Sequence, residues 1–295
     1  MPRFLPARLL ALLILGLLAL PGRPASADPA PAPFPDPAPE TSAPSVGADP
    51  VRPDSPARGS YLGAAAPDTT QILPPPPAPR STLEAADRAT FAATRALKGS
   101  PRWAIAETDV AEGAAAILDT FACVLGTRLD EARVPAVIGL LERARLDIAE
   151  ATRGPKVHYR RPRPFVGNAA PICVQRTQAL ADSFSYPSGH ATQGWAYALI
   201  VAALVPSKAT AILVRGRAYG ESRVICGVHW LSDVTAGRTN GAAVFAALMG
   251  DAAFRADMDR ARTELGRALA GEGGAPDPAL CRREAEGLAS VALEF

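Results

Sequence analysis

Residues 130–153 read Asp-Glu-Ala-Arg-Val-Pro-Ala-Val-Ile-Gly-Leu-Leu-Glu-Arg-Ala-Arg-Leu-Asp-Ile-Ala-Glu-Ala-Thr-Arg. Val137, Leu140, Leu141, Ala144 and Ile148 recur at intervals of three and four, which places them on one stripe of an α-helix. The same rhythm runs through 82–98, 102–122, 189–205, 207–221, 231–249 and 251–270, all rich in Ala, Leu, Arg and Glu, which favour helix. No five-residue run alternates apolar and polar as a half-buried strand would. The expected fold is all-α, a single-domain bundle of about seven helices. Ser81 and Glu84, spaced as in a capping box, mark the start of the first of them.

Outward from this helical region the composition changes. Between Asp28 and Pro67 the chain is mostly Pro, Ala, Ser, Asp and Gly, which cannot supply a core. Residues 28–67 are expected to be a proline-rich disordered linker, with 68–295 as the folded domain. Pro74–Pro77 is expected to lie as a polyproline strap on that domain. At the start, Arg3 and Arg8 precede the apolar run Leu9–Leu20, and Ala25-Ser26-Ala27 offers a cleavage pattern, so 1–27 reads as a signal peptide. That run is shorter than the roughly 20 residues a spanning helix needs. The mature protein is expected to be periplasmic or secreted, without a membrane span.

The whole chain has 31 Lys+Arg and 29 Asp+Glu, and removal of 1–27 takes away Arg3, Arg8 and Arg23 to leave 28 against 29. Without a basic excess, nucleic-acid binding through phosphate neutralisation is excluded. Four cysteines in an oxidising compartment favour disulfides. They form no CxxC pair, and the three histidines lie elsewhere, so a zinc site is not expected.

Three stretches carry chemistry. Lys156-Val-His-Tyr-Arg-Arg-Pro-Arg163-Pro164 has two prolines two residues apart, so its basic residues are expected to project from a loop, where guanidinium groups suit phosphate. Ser185-Tyr-Pro-Ser188-Gly189-His190 suits a helix N-terminus, where free N–H groups and the dipole favour an anion. Ser222-Arg223-Val-Ile-Cys-Gly-Val-His229-Trp-Leu-Ser-Asp233 spaces His229 and Asp233 by four, the distance at which helical side chains meet. A carboxylate on one ring nitrogen would fix the tautomer and leave the other free as a nucleophile.

Together the three resemble the signature of the type 2 phosphatidic acid phosphatase superfamily, which includes vanadium haloperoxidases: K-x6-RP, then PSGH, then SR-x5-H-x3-D. Lys156 and Arg163-Pro164 set the register, because Arg161-Pro162 would need a lysine where Gly154 stands. Ala151–Tyr159, Arg163-Pro-Phe165, Ser185–His190 and Gly220–Trp230, with the Leu73-Pro-Pro-Pro-Pro lead-in, resemble the bacterial class A non-specific acid phosphatases over about residues 70–295.

The resemblance implies an acid phosphatase acting on phosphate monoesters of broad range through a phosphohistidine. His229 would be the nucleophile, Asp233 its support and His190 the general acid. Lys156, Arg163, Arg223, Ser188 and Gly189 would bind the phosphoryl oxygens, and phosphate or vanadate would inhibit. It implies no cofactor and no metal, since three cations already surround the phosphoryl group. His158 is expected to pack locally, and Trp195, Trp230 and Tyr197 to belong to the core. A vanadate-dependent haloperoxidase, or a non-enzymatic proline-rich surface protein, is the alternative; a homo-oligomer is left open. Sequence alone leaves three disulfide connectivities. The shared phosphate site implied by the resemblance would draw Cys173 and Cys226 together, with Cys123 paired to Cys281.

Overall fold

The computed structural model describes residues 59–271 and 274–290. The stretch read as a signal peptide, and the proline-rich stretch as far as residue 58, lie outside the described residues. Among the described residues there are twelve α-helices and no strand: α1 (Thr69–Ile72), α2 (Thr82–Arg95), α3 (Pro101–Thr108), α4 (Ala114–Asp119), α5 (Ala122–Leu125), α6 (Pro135–Tyr159), α7 (Gln178–Asp182), α8 (Gly189–Leu204), α9 (Ala209–Cys226), α10 (Leu231–Gly250), α11 (Ala252–Ala270) and α12 (Pro278–Ala289). The all-α expectation holds, but the count of about seven is too low. The stretch 102–122 is not one helix, because Gly113 takes φ +92° and separates α3 from α4. Helices α1, α5 and α7 are single turns, too short for periodicity to reveal. Helix α12 buries only Gly287 and so shows little apolar stripe, although Asp277 caps it and Pro278 opens it.

The stripe on α6 forms the centre of the largest core. Val137, Leu140, Leu141, Ala144 and Ile148 are all buried there with Tyr197, Ile200, Val201 and Leu204 of α8 and Phe254, Met258 and Leu265 of α11. Each large aliphatic side chain so placed contributes about 1.5–3 kcal/mol. The expected core role holds for Tyr197, whereas Trp195 and Trp230 are only half-buried.

Helix α8 packs mainly against α9 and α10. The approach of α10 depends on two glycines. A Cβ on Gly237 would lie 2.7 Å from the Ser188 carbonyl oxygen, and one on Gly241 would lie 2.5 Å from that of Thr192. Those are backbone atoms, which cannot swing aside. The absence of side chains therefore lets the α10 backbone rest on the first turns of α8, and the Ser188 N–H donates to the Asp233 carbonyl at 3.0 Å.

Helix α6 continues where a loop was expected. Pro155 lies inside it and cannot donate to the Ala151 carbonyl. Thr69 Oγ1 (2.6 Å) and Asn240 Nδ2 (3.2 Å) donate to that oxygen instead, so the buried acceptor is satisfied and the helix runs on to Tyr159. It ends at Arg160, whose φ is +46°. Lys156 and His158 therefore sit on the last helical turn, and only Arg161 and Arg163 belong to the loop.

The N-terminal described segment is tied to this frame. Tyr186 Oη donates to the Pro74 carbonyl at 2.5 Å and Tyr159 Oη to that of Leu73 at 3.2 Å, which holds the polyproline strap in place. Packing begins earlier than the expected boundary at residue 67. Tyr61 is buried, with its N–H donating to Asp147 Oδ2 at 2.8 Å and its hydroxyl to Asp257 Oδ2 at 2.7 Å. The disulfides join Cys123 to Cys281 and Cys173 to Cys226. Among the described residues no helix is long and apolar enough to cross a membrane.

Candidate active site

His229 is placed by two local devices. Helix α9 ends at Gly227, whose φ of +81° turns the chain sharply. Helix α10 then begins after Trp230, where Asp233 Oδ2 accepts the Trp230 N–H at 2.8 Å. His229 thus precedes the helix, and Asp233 reaches back from its first turn. The His229–Asp233 spacing brings the pair together through this cap, not through the expected helical geometry.

Two groups fix the His229 ring. Nδ1 lies 3.3 Å from Asp233 Oδ2, and Nε2 lies 3.0 Å from Arg163 Nη1. A guanidinium only donates and an ionised carboxylate only accepts, so the ring that satisfies both is neutral with its proton on Nδ1. Burial, followed by Arg163, Lys156 and Arg223, holds the imidazole well below its usual range. The neutral form, with a lone pair on Nε2, is the one these surroundings favour.

Asp233 is fully buried and is held from outside the predicted set. Arg161 Nη1 donates to Asp233 Oδ1 at 2.6 Å, and Arg161 Nη2 to Asp87 Oδ2 at 2.7 Å. Asp87 accepts in turn from the Ser232 N–H (2.9 Å) and hydroxyl (2.5 Å). Burial pushes the Asp233 carboxyl up, against Arg161 and the Trp230 N–H, which pull it down. Sequence reasoning placed Arg161 among the basic residues of a phosphate-binding loop and used it to set a register, but did not foresee its bond to Asp233, and it did not single out Asp87. A signal existed: Asp87 shares the buried face of α2 with Phe91 and Thr94 at helical spacing, and a carboxylate on such a face needs a partner.

The cations converge from three elements. Arg163 is fixed by Ser183, to whose carbonyl (2.8 Å) and hydroxyl (3.1 Å) it donates, and by the Val228 carbonyl (2.9 Å). Lys156 Nζ donates to the Phe184 carbonyl. Burial first, and Arg163 second, lower its ammonium to about 7. Burial first, and Arg223 second, lower Arg163 to about 10. Arg223 is buried on α9, and its Nε and Nη1 have no hydrogen-bond partner among the described residues. Two buried, charged donors without acceptors are costly unless an anion meets them.

Ser188 caps α8, its Oγ accepting the Ala191 N–H at 3.3 Å. With that donor used and the Thr192 N–H given to the Ser188 carbonyl, the Gly189 and His190 N–H groups remain as first-turn donors. His190 lies in that turn as expected, stacked on Tyr219 with centroids 5.9 Å apart. Its Nδ1 lies 2.9 Å from Glu112 Oε1 and its Nε2 3.0 Å from the Val110 carbonyl. Glu112 and Val110, in the loop between α3 and α4, are a second contribution the sequence reading missed. No motif marks them, because the contact joins residues 78 and 80 positions apart. His158 is exposed and meets Tyr159 edge to face. Among the described residues no group of His, Cys, Asp and Glu has the arrangement of a metal site.

The all-helical frame thus gathers the cations Lys156, Arg163 and Arg223 around His190 and the carboxylate-held His229. Residues 145–256 match the family model described as the PAP2 superfamily. The chain is 45% identical over 219 residues to an acid phosphatase of Zymomonas mobilis, covering 74% of this chain and 82% of that protein. It is 35% identical over 202 residues to a non-specific acid phosphatase of Providencia stuartii, covering 68% and 82%. A non-specific acid phosphatase of Salmonella typhimurium is 36% identical over 195 residues, covering 65% and 78%. The chain belongs to the PAP2 superfamily and, within it, to the non-specific acid phosphatases.

Proposed function

We propose that this acid phosphatase hydrolyses phosphate monoesters outside the cytoplasm through a phosphohistidine on His229. The observation that carries the reading is the setting of the His229 ring: Nδ1 against Asp233 and Nε2 beside Arg163, in buried, cationic surroundings that favour the neutral imidazole. In the first step Nε2 attacks phosphorus, the N–P bond forms and the ester P–O bond breaks. His190 gives its proton to the departing oxygen. In the second step His190 takes a proton from water, the hydroxide attacks phosphorus, and the N–P bond breaks to return neutral His229 and phosphate. Asp233 holds the ring and supports the positive charge it gains. Lys156, Arg163, Arg223 and the Gly189 and His190 N–H groups face the equatorial oxygens. Ser188 acts by capping α8 and so aiming those donors. The four cysteines, all paired, support an oxidising compartment.

Rapid quenching with a radiolabelled aryl phosphate, followed by peptide mapping, tests the route. Label on the His229 peptide, labile to acid and stable to base, is expected. Label on a serine would overturn it.

A further inference from the structure

His190 is held by two acceptors that differ in kind. A carboxylate and a carbonyl both only accept, so a ring that satisfies Glu112 at Nδ1 and Val110 at Nε2 carries a proton on each nitrogen. The Val110 carbonyl is backbone, fixed in a loop beside Asp109. Asp109 itself is buried and bonded to Arg215 at 2.6 Å and to the Ser222 hydroxyl at 2.6 Å. Glu112 is a side chain that is 66% exposed. A leaving-group oxygen that takes a proton from His190 must occupy the place of one of these acceptors. Only the place of Glu112 can be vacated by rotating a side chain.

We propose that Glu112 is a positioning residue for the general acid: it keeps His190 doubly protonated between turnovers and yields Nδ1 to the leaving-group oxygen when substrate binds. This rests on His190 being the general acid. Over one turnover the proton given to the leaving group is replaced by the one taken from the attacking water, so Glu112 itself exchanges none.

The other groups facing His190 show why a partner is needed. Burial first, and Arg223 on α9 second, hold the ring below its usual range, toward its neutral form, and Glu112 and the Val110 carbonyl offset only part of that shift. Tyr219, also on α9, covers one ring face and carries no charge. Across the site stands His229, neutral, with Arg163 and Lys156 behind it. Among the described residues, Glu112 is therefore the one anionic side chain bonded to the ring itself. Its own carboxyl is held below the usual range, by the bond to His190 first and by the charges of His190, Arg223 and Arg145 of α6 after that.

The test is a titration of the histidine ring protons by NMR in the full enzyme. The chain has three histidines, and His190→Ala assigns the one that matters. Loss of a carboxylate at this distance should move the His190 midpoint down by about one pH unit in Glu112→Gln. The alkaline limb of kcat/KM for an alkyl phosphate should move with it, and Glu112→Asp should recover part of the shift. Saturating inorganic phosphate should bring the wild-type and Glu112→Gln midpoints together, because the anion takes the carboxylate's place. An unmoved midpoint in folded Glu112→Gln, or a difference that survives saturation, would overturn the assignment of Glu112. If His190→Ala hydrolyses alkyl phosphates at the wild-type rate, the general-acid reading fails and this proposal falls with it. If His190→Ala is crippled while Glu112→Gln leaves the midpoint unmoved, the Glu112 assignment alone fails.

Discussion

The two histidines of the site are held in opposite ways. Around His229 the two groups that touch the ring, Asp233 and Arg163, are buried, and Asp233 is fixed from behind by buried Asp87 and by the half-buried Arg161 and Ser232. Around His190 one partner is backbone and the other an exposed glutamate on a loop. A nucleophile must keep one tautomer and one direction of attack, which favours partners that cannot move. A proton donor must release one contact and make another within each turnover, which favours a partner that can. With the roles proposed above, the contrast distributes rigidity in this site by chemical task.

The sharpest way to break that contrast is to remove the ring at each end. His229→Ala should reduce turnover of every phosphate monoester to background. His190→Ala should lower kcat/KM by about 10²–10⁴-fold for alkyl phosphates and far less for p-nitrophenyl phosphate, whose leaving group needs no proton. Steady-state assays with the two substrates decide it. Equal losses on both would show that the ends do not divide the labour.

Next in size is Arg161→Ala, which strands two buried carboxylates, Asp87 and Asp233. Loss of one partner from a buried charge network costs about 3–5 kcal/mol, and kcat should fall as Asp233 loses its support. Urea denaturation and kinetics on Arg161→Ala and Arg161→Lys would show it. Lysine restores charge without the fork that spans both acids, so it should recover stability more than rate. A variant of wild-type stability would mean that the buried end is not rigid in the sense argued here.

The disulfides separate site from periphery. The Cys173–Cys226 bridge joins the segment beyond Arg163 to the end of α9, three residues before His229. The Cys123–Cys281 bridge staples α12, which bears none of the predicted site residues. Replacing either pair by serine should cost about 2–5 kcal/mol. Only loss of Cys173–Cys226 should also lower kcat at temperatures where both variants are folded. Thermal melts beside activity measurements would reveal equal kinetic effects, if there are any.

The smallest expected effect concerns Lys156, lowered to about 7 by burial and then by Arg163. From about pH 7 up to the usual lysine range, the unfolded chain binds a proton that the folded chain does not, so this group makes stability rise with pH in that window. Phosphate binding runs the other way, because the anion favours the ammonium. Affinity for inorganic phosphate should fall above about pH 7, by at most about tenfold per pH unit from this group, with proton uptake on binding. Calorimetry in buffers of different ionisation enthalpy measures both. A flat affinity, with no proton uptake, would remove Lys156 from the titrating groups.

The helical class was legible because apolar residues at three- and four-residue spacing, as on α6, report one buried stripe directly. The candidate residues were legible because phosphate chemistry needs rare combinations, and Lys156, Arg163, His190, Arg223, His229 and Asp233 lie within three short stretches. The course of α6 through Pro155 was not, because its cost is offset by Thr69 and Asn240, which are distant in sequence. The cap that brings Asp233 to His229 was mistaken for a helical pair, since both geometries share a spacing of four. Tertiary structure alone decided the partners: Arg161 and Asp87 behind Asp233, Glu112 on His190, and the glycine seam that lays α10 on α8. Local sequence encodes which groups are present and their nearest periodicity. Which buried charge meets which acceptor depends on segments folding back over many residues, and only the packed chain brings those atoms within hydrogen-bonding distance.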